Sequence, residues 1–525
     1  MKRTDIISRM ALCCAILFHF STLKCQTSFN KHYHFGLGYI QTGGVVSTDD
    51  GYVYVGQCID TTLFLFHWII GKVDLDGEPL CHRISQSGNI QVFTSSEVLE
   101  MPNGNYLTMG NDSMKNVFAL VFDDQCEIVQ SRSYKTYNPE EEIKSIGISS
   151  LKRTADEGYV AIGSMVNAND DQRGAIFKFD RDLNLVWQRY YGSVYRTLFG
   201  QVLPLENNDL IVFGREDDIS LFGHDFTARL VMIEYSEDGI IEKIEKSEKQ
   251  YLRNGYYGVT FAPDGVSFIT SACLGKEERY ASFPDSLSYL TYKNTVQKMD
   301  SELQLIWEIQ IGHHDWDPNV FYANHVVASD DEGIVAVGHT FIHRTDSIPD
   351  YQYGVISKVG WDGDSIWSRL LMTDTLYRAD HYIFNMDNAR DGGYIINGMA
   401  NWQEGWPPII DQHLWLVKTD EFGCIVPGCH LISSLPPDLR ESHEILLYPN
   451  PASTEAHVYV NSQHTKPETT FILTDLMGHV MYSIPHLVND VTYSLNINDW
   501  PAGQYYVQIC EGNQVVAIKQ LVIVR

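Results

Sequence analysis

A unit of about 50–60 residues recurs seven times along this chain, and that recurrence constrains the fold more than any other feature. The clearest copy runs from Thr154 to Gly192, TADEGYVAIGSMVNANDDQRGAIFKFDRDLNLVWQRYYG. Asp156-Glu157-Gly158 is tight-turn chemistry. Tyr159 to Gly163, Ala175 to Phe179 and Leu185 to Tyr191 are apolar runs too short for helices, and Ile146 to Leu151 ahead of the turn makes a fourth. Four short strands joined by turns form one antiparallel sheet. Apolar residues fall on both faces of the runs, so each sheet is expected to be covered on both sides by neighbours.

The copies are followed by their turn and closing glycine. Asp50-Gly51-Tyr52 leads to Gly56, Asn103-Gly104 to Gly110, Gly158-Tyr159 to Gly163 and Asn208-Asp209 to Gly214. Glu332-Gly333 leads to Gly338 and Gly392-Gly393-Tyr394 to Gly398, while the copy at Asp264-Gly265 has lost its closing glycine. The second half recurs as GKVDLDG (71–77), ALVFDDQ (119–125), IFKFDRD (176–182), VMIEYSEDG (231–239), VQKMDSE (296–302), ISKVGWDG (356–363) and LWLVKTDEFG (414–423). Trp187, Trp307 and Trp367 sit at matching places. Units this short could hardly each bury a core alone. The pattern predicts an all-β chain built on a seven-bladed β-propeller.

The two ends of the repeat carry complementary defects. SFNKHYHFG (28–36) looks like the end of a unit, with His32-Tyr33-His34-Phe35-Gly36 set against Gln188-Arg189-Tyr190-Tyr191-Gly192. The seventh unit lacks its last strand: after Leu414 to Asp420 come Gly423-Cys424 and Pro427-Gly428, which continue a ladder poorly. The N-terminal strand is therefore expected to complete the last blade and to close a propeller over residues 28–430, removing two free sheet edges.

Loop lengths break the symmetry. The first-to-second and third-to-fourth turns of a blade share one face, and here they are short. The second-to-third loops and the links between blades share the other face. Cys273 to Lys293, His339 to Tyr353 and Met399 to Gln412 read as long second-to-third loops, and Gly312 to Tyr322 as a blade link. Variable loops on a rigid scaffold are where binding usually sits. The candidates there are His313, His314, Asp315, Trp316, Asp317, Trp402 and Trp406. Exposed tryptophans stack on sugars or peptide side chains. The histidines and aspartates have no diagnostic ligand spacing, so no metal and no cofactor is expected.

Nothing points to catalysis: GxSxG, HExxH and P-loop patterns are absent. The turns at Asp74, Asp180, Asp300 and Asp362 resemble the aspartate boxes of sialidase-like propellers but lack Ser-x-Asp-x-Gly-x-x-Trp, and read as hairpin turns. A formal charge of -29 argues against nucleic acid and anionic membrane surfaces. The expectation is a binding or adhesion protein for an extracellular glycan or protein. A hydrolase or lyase acting on polysaccharide or peptide, and a structural surface component, stay open as alternatives.

Residues 1–25 read as a secretory signal peptide, with Lys2, Arg3 and Arg9 ahead of an apolar core from Met10 to Phe20. No later segment is long and apolar enough to span a bilayer. Seven cysteines follow the signal, and Cys424 and Cys429, flanking Ile-Val-Pro-Gly, are the disulfide expected in an exported chain. Residues 431–443 read as a linker.

Residues 444–525 change texture, to short alternating strands that read as a small Ig-like β-sandwich. Tyr448-Pro449-Asn450-Pro451 opens this segment. Asp475-Leu476-Met477-Gly478 follows, then Pro501-Ala502-Gly503 with Tyr505, and finally Lys519. In this order and spacing the segment resembles the type A C-terminal sorting domain of type IX (Por) secretion cargo in Gram-negative bacteria. The resemblance implies export by the signal peptide, then engagement of the outer-membrane translocon and sortase by the tail. Release from the cell, or attachment to surface lipopolysaccharide, would follow.

Overall fold

In the computed structural model the regular elements among the described residues are all strands. It describes 27–35, 39–60, 65–85, 97–112, 114–192, 196–219, 226–248, 250–279, 288–311, 321–328, 333–342, 351–372, 379–404 and 409–425. In the C-terminal part it describes 443–462, 469–475, 480–484, 491–498, 500–511 and 514–524. The expected signal peptide and linker lie outside these residues. The chain divides into two compact units at Ile425–Val426.

The first strand, β1 (Phe29–Tyr33), precedes seven successive sheets. Blade 1 is β2 (Tyr39–Ser47), β3 (Gly51–Asp60), β4 (Leu65–Asp74) and β5 (Pro79–Ile84). Blade 2 is β6 (Val98–Glu100), β7 (Tyr106–Asn111), β8 (Val117–Phe122) and β9 (Ile128–Tyr134). Blade 3 is β10 (Ile143–Arg153), β11 (Tyr159–Asn167), β12 (Gln172–Phe179) and β13 (Leu185–Tyr191). Blade 4 is β14 (Arg196–Pro204), β15 (Leu210–Ile219), β16 (Phe226–Tyr235) and β17 (Ile241–Lys246). Blade 5 is β18 (Gln250–Phe261), β19 (Phe268–Arg279), β20 (Ser288–Met299) and β21 (Leu305–Gln310). Blade 6 is β22 (Phe321–Ala328), β23 (Gly333–Ile342), β24 (Tyr351–Gly360) and β25 (Ser365–Leu371). Blade 7 takes β26 (Ala379–Asn388), β27 (Tyr394–Glu404) and β28 (Ile409–Thr419) from the end of the propeller, and its fourth strand is β1.

Each first strand touches the first strand of the next blade, from β2 round to β26 and back to β2, so the ring is closed. Blades 4 and 5 are also joined directly: beyond the end of β17, β16 pairs with β18 through Thr227–Tyr251 and Ala228–Gln250. In blade 7, Phe29 lies opposite Lys418 and Tyr33 opposite Leu414. Trp187 lies opposite Lys178 in blade 3, so Phe29 is the counterpart of Trp187. The alignment of His32 with Gln188 expected from the sequence is thus two residues out of register. The slip preserves which side chains share a face, because strand faces alternate with period two.

The third-to-fourth turns are built alike. Asp74, Asp123, Asp180, Asp300 and Asp420 each accept from the backbone N–H groups two and four residues on, which makes them hairpin turns. Each turn places one residue in the left-handed region: Gly77, Cys126, Leu183, Gly239, Leu303, Gly363 and Gly423. What fills that position follows the blade before it. Phe29 lies against Gly77, Trp187 against Gly239, Trp307 against Gly363 and Trp367 against Gly423; an added Cβ would come within 2.6–3.0 Å of a ring atom in each. Where the preceding blade offers no aromatic ring there, the turn keeps a side chain. Gln130 occupies the aromatic's place before Leu183, and Lys243 before Leu303. Both leucines are 2% exposed, and their burial offsets the left-handed backbone. Between blades 1 and 2 the pair is a disulfide, Cys81–Cys126. Gly239→Ala should therefore cost about 2–4 kcal/mol, combining backbone strain with a clash against Trp187, whereas Gly104→Ala, whose Cβ meets nothing within 4 Å, should lose only the strain. Thermal melts of the two variants measure the difference.

A second repeated device is the third-strand lysine. Lys72 donates to Asp50 (2.7 Å) and to Asp124 of blade 2; Lys178 donates to Asp156 (2.7 Å) and Thr154 (2.6 Å). Lys298 pairs with Asp264 at 3.4 Å and Lys418 with Asp391 at 3.4 Å. Asp50, Asp156, Asp264 and Asp391 belong to the first-to-second turns, so each ammonium ties the two turns on one face together, and Asp124 adds a tie to the third-to-fourth turn of blade 2.

Two of the expected loops are largely strand, and a third is strand at both ends. Within Cys273–Lys293, β19 and β20 pair as far as Arg279 with Ser288. Within Met399–Gln412, β27 and β28 pair as far as Glu404 with Ile409, and within His339–Tyr353, β23 and β24 pair from His339–Gly354 out to Ile342–Tyr351. Hairpin arms satisfy their backbone groups by pairing with each other, without the apolar alternation that marks a buried strand.

The C-terminal unit packs two sheets. One has the order β29 (His443–Tyr448), β30 (Glu455–Ser462), β33 (Val491–Asn496). The other runs β32 (Val480–Ile484), β31 (Thr469–Asp475), β34 (Gly503–Glu511), β35 (Gln514–Ile523). Ile445, Val458, Val460, Phe471, Leu473, Val507, Ile509 and Leu521 form the core between them.

Candidate functional site

Towards the tight-turn face, charge pairing joins the blades to one another. Glu97 accepts from Leu151 N (2.9 Å), Ser150 Oγ (3.1 Å) and Lys152 Nζ (2.8 Å) of blade 3. Asp387 accepts from Ser47 N of blade 1 at 2.9 Å and from Asn388 N at 2.9 Å, yet burial still raises its carboxyl above the usual range. Arg390 bridges Asp49 (2.8 Å) and Glu100. These groups bind blades 7, 1, 2 and 3 to one another.

The opposite face offers open space. The link 135–142, between β9 and β10, stands between two grooves. One, about 410 Å³, lies towards the β7–β8 turn and is lined by Met114, Lys115, Asn116, Thr136 and Tyr137. The other, about 350 Å³, lies towards blade 3 and is lined by Tyr137, Asn138, Arg173, Gln188, Arg189 and Tyr190. The link is fixed at both ends. Thr136 Oγ1 donates to Lys115 O (2.6 Å), and Lys115 Nζ to Ile143 O (3.0 Å). Arg173, almost wholly buried, pairs with Glu141 at 2.9 Å and Asp171 at 3.3 Å. Tyr190 Oη donates to Gln188 Oε1 at 3.1 Å, and burial raises its phenol. Tyr137 is left 63% exposed on the ridge between the grooves, and Met114 79% exposed at the rim. A fixed backbone, an exposed ring, amides and guanidinium groups along open grooves suit a polar ligand with an apolar face.

Of the residues singled out from sequence, His313, His314, Asp315, Trp316, Asp317 and Trp406 lie outside the described residues. Trp402 is placed only by its backbone, in β27 opposite Ala379 and Asp411. Cys424 is disulfide-bonded, while Cys429 lies outside the described residues. Sequence reading missed the 135–142 link, whose only signal was a longer connection between two regular units. Among the described residues, no group of three or more His, Cys, Asp or Glu side chains is arranged to hold a metal ion, and no helix is long and apolar enough to cross a membrane.

In the C-terminal unit the motif residues stitch the fold. Asn450 Oδ1 accepts from Val522 N at 2.8 Å, and Ala452 exchanges backbone bonds with Val522 and Val524. The Tyr448-Pro449-Asn450-Pro451 turn is thereby tied to the terminal strand. Tyr505 Oη donates to Pro501 O at 2.8 Å, closing the Pro-Ala-Gly turn. Asp475 pairs through its backbone with Tyr505, Lys519 with Val507 and Gly503 with Ile523; Gly478 lies outside the described residues.

Comparison with known proteins separates the two units. The family described as the secretion system C-terminal sorting domain matches residues 446–524. No curated protein matches the chain in sequence. Among solved structures, Drosophila Semaphorin 2a is similar over 95% of this chain and 97% of its own, at 8% identity and a TM-score of 0.43. The β-propeller domain of the Trilobed protease from Pyrococcus furiosus is similar over 74% of this chain and 98% of its own, at 12% identity and 0.39. An α-L-arabinofuranosidase from Fusarium graminearum is similar over 62% of this chain and 92% of its own, at 10% identity and 0.39. With seven blades and a C-terminal sorting tail that implies the type IX machinery, the chain is an exported β-propeller, secreted or held at the cell surface.

Proposed function

We propose that the propeller binds an extracellular glycan or protein through its long-loop face, with the ridge at Tyr137 as a contact. The observation that carries this reading is the pair of adjoining grooves, about 410 and 350 Å³, on either side of one fixed link. Trp316 and Trp406 belong by chain position to connections on the same face and Trp402 to a hairpin arm leading there, at blades 5 to 7, and all three are proposed as further contacts. Export by the tail puts this face in contact with extracellular polymers, and cleavage of the tail by a sortase is part of the same proposal.

Screening the purified chain on a glycan array, then titrating the best hit, tests it. Tyr137→Ala should weaken binding about tenfold, the loss of one stacking contact, and shift stability by no more than about 0.5 kcal/mol. Unchanged affinity for every glycan bound would remove the ridge from the reading.

A further inference from the structure

The fourth strand of each blade is its outer edge, and six of the seven are alike in charge. β1, β5, β9, β13, β21 and β25 each carry a single Lys, Arg, Asp or Glu: Lys31, Arg83, Arg132, Arg189, Glu308 and Arg369. Two copies of such a strand laid edge to edge have no opposite charges to pair. β17 differs. Its sequence is IEKIEK, with two charges of each sign, and all six residues are exposed or half-buried. Ile241 is 41% and Ile244 40% exposed, and Ile240, just ahead of the strand, is 63% exposed. Among the described residues β17 pairs only with β16, so its outer edge is free. Ser247 N donates to Leu230 O of β16 at 3.0 Å. Antiparallel ladders alternate, so Lys243 and Glu245 bond towards β16 as Ser247 does, and the backbone groups of Ile244 and Lys246 point to the free edge.

We propose that β17 pairs antiparallel with β17 of a second copy of this chain, in the register that sets Ile244 opposite Ile244. Backbone and charge select the same register. Ile244 has its backbone groups outward, so the two copies exchange N–H and C=O bonds at the centre of the pair. Lys243 of each copy then lies opposite Glu245 of the other. Glu242, beside the register shift with β16, comes opposite Lys246. Moving the register by one residue opposes Glu242 to Glu245, or Lys243 to Lys246; moving it by two opposes Lys243 or Glu245 to itself. Within one copy Lys243 already meets Glu245 at 3.4 Å, and these side chains are 36% and 29% exposed, so a second copy extends an ion pair into a network. Lys246 keeps Glu216 at 2.9 Å while its side chain stays 34% exposed. A pair of six-residue strands is small for a protein interface, so the dimer should be weak, with a dissociation constant of about 10–100 µM.

Sedimentation velocity of the full chain at concentrations up to about 200 µM tests the proposal. The sedimentation coefficient should rise with concentration towards the dimer value. Lys243→Glu sets glutamate opposite glutamate at two places in the pair, and Glu245→Lys sets lysine opposite lysine. Each variant alone should associate about tenfold more weakly than the parent. An equimolar mixture of the two restores opposite charges at both places and should associate within about threefold of the parent. Ile244→Lys, which opposes two ammonium groups at the centre, should leave the chain monomeric. All three positions are exposed or half-buried, so the variants should keep the parent's melting temperature. A parent chain monomeric at every concentration, association unchanged in the single variants, or a mixture that stays monomeric would overturn the pairing.

Discussion

Replacing Lys418 by methionine should destabilise the propeller by about 3–5 kcal/mol, the range for breaking one partner out of a buried ion pair. The side chain is fully buried and its Nζ donates to Gly392 O (2.7 Å), Thr419 O (3.0 Å) and Thr27 O (3.2 Å). Asp391, 3.4 Å away and 5% exposed, balances its charge. Burial lowers the amine, and Asp391 and Asp420 pull it back up. Methionine fits the length but donates nothing. It would leave a buried carboxylate and three carbonyls short of a donor, including the one that anchors the segment leading into β1. Lys31→Met is the control: its bridge to Glu78 is at the surface and should be worth no more than about 1 kcal/mol. Denaturant melts of both variants decide the matter. Adding Asp391→Asn to Lys418→Met should recover part of the loss, because the orphaned charge is then gone. Equal, small shifts for Lys418 and Lys31 would show that the amine contributes no more than a surface bridge.

Loss of the Cys81–Cys126 disulfide should cost about 4 kcal/mol, the chain-entropy value for a closed loop of this length. The cross-link spans 45 residues and joins the outer strand of blade 1 to the last turn of blade 2. Blade 2 is where it matters most. Its first strand, β6, has three residues, and its third strand has Val121 where Lys72 and Lys178 stand in blades 1 and 3. Limited proteolysis of the Cys81→Ser, Cys126→Ser double variant should cut first between β5 and β9, at a denaturant concentration where the parent chain is resistant. A double variant with parental stability and cleavage elsewhere would mean that packing alone holds this joint.

Turn chemistry made the blades readable in sequence, because Gly, Asn or Asp recurs at the same point in each unit and admits few backbone shapes. The hairpin arms were harder. Cys273 to Lys293 contains Lys276-Glu277-Glu278-Arg279, and a polar run gives no period-two signal even where the backbone pairs. The Cys81–Cys126 bridge was hidden for another reason. Its cysteines lie in different repeats, and their meeting depends on which strand edge faces which turn in the next blade. The grooved link was passed over because it carries a tyrosine among polar and acidic residues, not the tryptophans that mark the loops of units five to seven.

The aromatic-on-glycine joints imply something about how such a ring can be inherited. A duplicated or transplanted blade arrives with a fourth strand chosen for the turn ahead of it and a turn chosen for the strand behind. Inserted after blade 3, a copy of blade 5 would present Leu303 to Trp187, a side chain where the ring needs none. Recombination within a family of such proteins should therefore tolerate crossovers between the left-handed turn residue and the fourth strand just after it, which keep each strand together with the turn it covers in the next blade, more readily than crossovers at the links. The exchangeable module is the joint between blades, and the blade itself is only its two halves.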